Sequence, residues 1–95
     1  MSSSQPGYLA DKDDLTKRLH RIAGQVNGVE RMVEDERYCI EILTQISAIR
    51  SALDRVALAV LDDHARHCVV AAAEGERDER TTEMMDAVAR LLKGR

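Results

Sequence analysis

In the stretch LDDHARHCVV, residues 61–70, a histidine and a cysteine stand four residues apart, His64 and Cys68. Helical positions i and i+4 project from one face, so an imidazole and a thiol at this spacing can bind the same ion. A pair alone makes a poor site. The remaining cysteine, Cys39, precedes His64 by 25 residues, and at ~100° per residue it returns to within roughly 20° of the same stripe. A rise of ~1.5 Å per residue nevertheless sets Cys39 and His64 about 37 Å apart along an unbroken helix, far beyond the reach of a metal bond. One chain therefore cannot close such a site. Two copies running antiparallel would bring Cys39 of each beside His64 and Cys68 of the other, about a two-fold axis near Ala52 and Leu53. Two thiolates and one imidazole form a soft set that suits Cu(I), whereas structural zinc usually takes four ligands and harder ions want carboxylates or more nitrogen. Against this stands the plainer reading that buried cysteines pack as small hydrophobes and that a histidine on an apolar face is packed, not ligating.

The elements that must carry these residues are helices. The chain has 95 residues, no Phe, no Trp and one proline, Pro6, a composition that favours an all-α fold and gives little support to sheets. Residues 1–10, small, polar and containing Gly and Pro, are expected to be disordered. Residues 11–95 are expected to form a single helical domain. Leu15, Leu19, Ile22, Val26, Val29 and Val33 recur at steps of four and three, which predicts a first helix over about residues 12–34 with Asp11 as N-cap. The charged stretch EDER, 34–37, interrupts the seam, which resumes as Ile42, Ile46, Ile49, Leu53, Val56 and Val60. Nothing between Tyr38 and Ala73 is Gly or Pro, so this long second helix is expected to run to Gly75. Its seam accommodates the antiparallel register, setting Ile46 against Ala59 or Val60 and Ile49 against Val56. The stretch EGERDER reads as a solvated loop, and Thr81 or Thr82 as the cap of a short third helix with Met84, Met85, Val88, Leu91 and Leu92 on its apolar face. A chain this small buries a modest share of its surface alone, so association with copies of itself is expected. No membrane-length apolar run and no signal peptide are present, which with the two cysteines points to the reducing cytoplasm.

The segments RLHRIAGQVNGV (18–29), RYCIEILTQISAIRSAL (37–53) and LDDHARHCV (61–69) resemble the copper-sensing operon repressors, the CsoR/RcnR family, over about residues 12–93. The resemblance implies a three-helix protomer, an antiparallel dimer built from the first two helices, a dimer of dimers, and operator DNA bound in the metal-free state and released when an inducer binds. Its copper branch implies Cys39 of one protomer and His64 and Cys68 of the other as ligands, in agreement with the geometry above. It further implies that Tyr38 and Glu83 hydrogen-bond around the bound imidazole, fixing its tautomer and orientation. The nickel and cobalt sensors of the family carry a histidine near the N-terminus and histidine for the last cysteine. Its persulfide sensors lack the histidine, and its formaldehyde sensors lack the last cysteine. His64 together with Cys68 matches the copper branch. His67, about 100° from Cys68 around a helix, reads as solvent-facing or packed.

Charge alone does not announce nucleic-acid binding: the net charge is −3 and the pI about 5.6, without the basic footprint usual for such proteins. There is one local cluster, Arg18, Arg21 and Gln25 at i, i+3 and i+7 with Lys17 and His20 alongside, which on its own reads as a solvated face. The resemblance implies DNA contacts at Arg18, Arg21 and Gln25, and at Arg50 and Arg55 on the second helix. With no Phe or Trp to stack or wedge, such contacts would run to phosphates and DNA shape. A copper chaperone or storage bundle would use the same cysteines and histidine without DNA. An enzyme fits poorly, because a thiol nucleophile needs a base and a pocket that a narrow bundle does not suggest.

Overall fold

The computed structural model describes residues 6–94, and among them every regular element is helical. Three long helices follow in order: α1, Lys12–Glu34, α2, Cys39–His64, and α3, Arg77–Lys93. Single 3-10 turns precede α1 at Leu9–Asp11 and α3 at Glu74–Glu76, and α2 passes directly into a π-helical segment, Ala65–Val70. Residues 1–5 of the segment expected to be disordered lie outside the described residues. Residues 10–59 form one compact unit, and residues 60–94 with 6–9 form another.

In the first unit α1 begins and ends where its apolar seam predicts. Asp11 takes the N-cap position without a side-chain hydrogen bond. Asp13 and Asp14 in the first turn place negative charge at the positive end of the helix. The stop is chemical. Glu36 adopts a left-handed conformation with φ 57°, its N–H donates to the Val33 carbonyl at 3.1 Å, and the Arg37 N–H donates to Met32 at 2.9 Å. This is the Schellman pattern, with glutamate where glycine usually stands. Tyr38 then opens α2, its carbonyl accepting the N–H groups of Glu41 and Ile42 at 3.0 and 3.3 Å, and Arg37 pairs with Glu41 over that first turn. Leu15 and Ile22 of α1 and Ile49 and Val56 of α2 are buried. The same seams leave Leu19, Val26, Val33, Ile46 and Leu53 between 39% and 58% exposed, so a single chain covers only part of its apolar surface.

The second unit departs from expectation twice. The helical run after α2 ends at Val70, short of Gly75, and its last six residues are π rather than α. The exposed carbonyl at that end is met by Arg77, whose Nη2 donates to Val70 at 3.2 Å, and the Ala72 N–H donates to Val69 at 3.2 Å. A long side chain arriving from the next helix therefore closes the end without glycine. The second difference is α3, which begins at Arg77 and not at a threonine cap. Asp78 and Glu79 sit in its first turn, where the helix dipole favours them, and Thr81 Oγ1 donates back to the Arg77 carbonyl at 2.9 Å as an interior residue. Much of EGERDER is thus helix, held by charge placement without apolar periodicity. α3 packs on the π segment, where Val69 is buried, and Asp63 is the buried carboxylate of this unit. Gly7 approaches the end of α2 closely: a Cβ built there would lie 2.7 Å from the Asp63 carbonyl oxygen and 3.2 Å from His67 Cβ.

Candidate metal centre and nucleic-acid interface

Cys39 is the first residue of α2 and its thiol is free and exposed. Tyr38, 65% exposed, precedes it and lines a cavity of about 440 Å³ with Met32, Arg37, Ile40 and Glu41. His64 is the last α-helical residue of the same helix, and the free thiol of Cys68 lies within the π segment. Both are half-buried. Because a π turn takes more residues than an α turn, Cys68 advances less around the axis than α geometry gives, and a four-residue step still returns it to the face of His64. Single π turns occur mostly inside α-helices and often at functional sites.

No three His, Cys, Asp or Glu side chains of the described residues come together as a metal-holding group in one chain. The donors present are two soft thiols and an imidazole, two of them at one end of a 26-residue helix and its immediate continuation and the third at the other end. Glu83 stands in the second turn of α3, not at its start, exposed and 3.6 Å from Arg80 Nη1. His67 is exposed beside Gly7.

A second constellation lies between α1 and α2. Asp14, Lys17, Arg18, Arg21, Ile22 and Gln25 of α1 and Ala52 and Arg55 of α2 line a groove of about 500 Å³. Four cationic side chains thus converge on one concave surface in a chain of net negative charge, the condition under which local potential exceeds what net charge suggests. Arg18, Arg21, Gln25 and Arg55 are brought together. Arg50 is exposed and lies outside the lining, since five helical residues turn it about 140° from Arg55. Asp14 is the groove residue that charge-cluster reasoning passes over, although its position four residues before Arg18 is the ion-pair spacing of a helix. Arg18 Nε lies 3.0 Å from Asp14 Oδ2.

Residues 11–90 match the family described as metal-sensitive transcriptional repressor. The copper-sensing transcriptional repressor RicR of Mycobacterium tuberculosis is 51% identical over 90 residues, covering 92% of this chain and 94% of RicR. The crystal structure of the copper-sensing repressor CsoR with Cu(I) from Geobacillus thermodenitrificans superposes with a TM-score of 0.82 at 48% identity, covering 87% of this chain and 88% of that one. The nickel-responsive transcriptional regulator InrS is similar as well, with a TM-score of 0.72 at 46% identity over 82% of this chain and 89% of its own.

Proposed function

The chain belongs to the metal-sensitive transcriptional repressor family, and on that premise we propose that it is a Cu(I)-responsive repressor that holds operator DNA when metal-free and releases it when Cu(I) binds. The observation that carries this reading is the placement of donors on α2: Cys39 at one end, His64 and Cys68 at the other, and no three-donor group within one chain among the described residues. An antiparallel second copy supplies the missing donor at each end, and the exposed seam residues Ile46 and Leu53 give that pairing an apolar surface. The assembly is a homodimer, and a dimer of dimers follows from the resemblance.

Overall similarity does not choose the metal, since a nickel-responsive relative is nearly as similar as a copper-bound one. The donors do. Two thiolates and one imidazole match the softness of Cu(I), while a borderline ion prefers more nitrogen. Cys39 of one protomer and His64 and Cys68 of the other would hold Cu(I), which would supply a cross-link between the two protomers. The residues of the chain do the rest. His64 presents one ring nitrogen to the shared centre and donates the other N–H to a fixed acceptor, which sets its tautomer. Glu83 is that acceptor, giving up Arg80 to reach it, and Tyr38 joins from the partner together with Cys39. The groove of Lys17, Arg18, Arg21, Gln25 and Arg55 holds phosphates, with Arg50 an outlying contact on the same helix. Acting on DNA, the protein works in the cytoplasm, and no reaction is assigned to it.

The test is to titrate Cu(I) under reducing conditions into a complex preformed with duplex DNA from upstream of the chain's own gene. Release complete at about one Cu(I) per protomer, with Ni(II) ineffective, is the expected result. DNA retained at full Cu(I) occupancy would overturn the repressor reading, and tight Cu(I) binding with no DNA affinity would mark a chaperone or storage protein.

A further inference from the structure

We infer that Asp14 positions Arg18 in the groove between α1 and α2, holding the guanidinium through Nε so that its two terminal nitrogens face a DNA phosphate. The inference rests on the proposed DNA-binding role of that groove and concerns how it is prepared.

Arg18 Nε and Asp14 Oδ2 form an ion pair at 3.0 Å. The terminal nitrogens of the guanidinium, which can pair bidentately with phosphate, take no part in that ion pair. The two side chains are 44% and 62% exposed, and an exposed pair at this spacing adds little to helix stability. The helix-end charge that Asp14 shares with Asp13 does not by itself require an acidic side chain facing a groove meant for a polyanion, and by charge alone Asp14 weakens DNA binding. Its position does account for it. Lys17, Arg21 and Arg55 share the groove, and their repulsion would otherwise turn the long Arg18 side chain out to water. A carboxylate one helical turn before it holds it back. Immobilising a flexible side chain before binding removes part of the ordering cost at the interface. A phosphate fits the lining better than a base edge, because single cations and one amide around a groove give charge without a donor–acceptor pattern.

Charge and positioning make opposite forecasts for removal of the carboxylate. The affinities of wild type, Asp14→Ala, Asp14→Asn and Arg18→Ala are measured by fluorescence anisotropy against a labelled duplex from upstream of the gene and a scrambled duplex of equal length, across a salt series. Helicity and Cu(I) binding serve as controls for folding. Asp14→Ala should bind both duplexes roughly fivefold more weakly despite losing a negative charge, with the salt slope reduced by about one. Asp14→Asn, which keeps the size of the side chain but not the charge of the ion pair, should be weakened to a similar extent. Asp14→Ala binding as tightly as wild type or tighter, while Arg18→Ala is weakened, would overturn the positioning role alone. Arg18→Ala at wild-type affinity would instead remove the groove from the DNA surface. Weakening confined to the upstream duplex would mean that Arg18 reads bases, and would overturn the phosphate assignment.

Discussion

His64 stands where the α-helical run of α2 gives way to the π segment, so its ring is aimed by backbone of two kinds. On the proposed reading, that location would make it the side chain through which metal binding reaches the rest of the protomer. Two thiolates can hold Cu(I) in linear geometry, so the His64→Ala variant should keep much of its Cu(I) affinity. Its DNA response should be lost, because allostery is a difference in affinity between two states, of ~1–3 kcal/mol in typical cases, and needs contacts made in one state only. The check is the ratio of DNA affinities with and without saturating Cu(I), which should fall towards unity in the variant. Release of wild-type size would reduce His64 to a simple ligand. The placement of Cys39, His64 and Cys68 along one continuous helical run was legible in the sequence because no glycine or proline between them breaks it. The partner of Glu83 was not, because α3 starts at Arg77 and its first charges pair among themselves, as Arg80 does with Glu83.

At the turn between α1 and α2 the chain places Glu36 at φ 57°, a conformation that costs an L-residue about 1–2 kcal/mol and glycine almost nothing. Glycine also makes the unfolded chain more flexible, which offsets part of the gain. Glu36→Gly should therefore stabilise the protein by a net amount of about 0.5–1 kcal/mol, seen as a higher urea midpoint with unchanged slope. A lower midpoint would show that the glutamate side chain contributes more than its backbone costs. The boundaries of α1 and the start of α2 were readable because apolar periodicity stops at EDER and resumes after it. The π segment and the start of α3 were not. A π turn is a shift in backbone pairing with no composition of its own, and EGERDER folds through charge at a helix end, to which apolar periodicity is blind. The groove was half-readable: Arg18, Arg21 and Gln25 share a face of α1, but which arginine of α2 joins them depends on how the two helices meet.

Sites shared as proposed would make metal binding a property of the pair. Cys39→Ala and Cys68→Ala proteins should each bind Cu(I) poorly, and an equimolar mixture allowed to exchange subunits should regain one intact site per heterodimer. Binding is read by competition with a Cu(I) chelator and exchange by mass spectrometry of intact dimers. Exchange without recovered affinity would rule out sites built across the dimer. Leu53, 44% exposed near the proposed two-fold axis, belongs to a seam that continues past what one chain buries, and this is the surface such a pairing would cover.

The unbroken run of α2 from Cys39 to His64 has one more effect. In an antiparallel pair both centres close only when the two partners have the same number of residues between their donors. A related chain with one residue more would swing its imidazole by ~100° and shift it about 1.5 Å along the axis, so aligning one centre leaves the other open. With the sites shared as proposed, helix length would act as a kinship mark. In a cell that holds several such sensors, mixed pairs of unequal span would be half-blind, and each regulator would answer to its own metal without crosstalk from its paralogues.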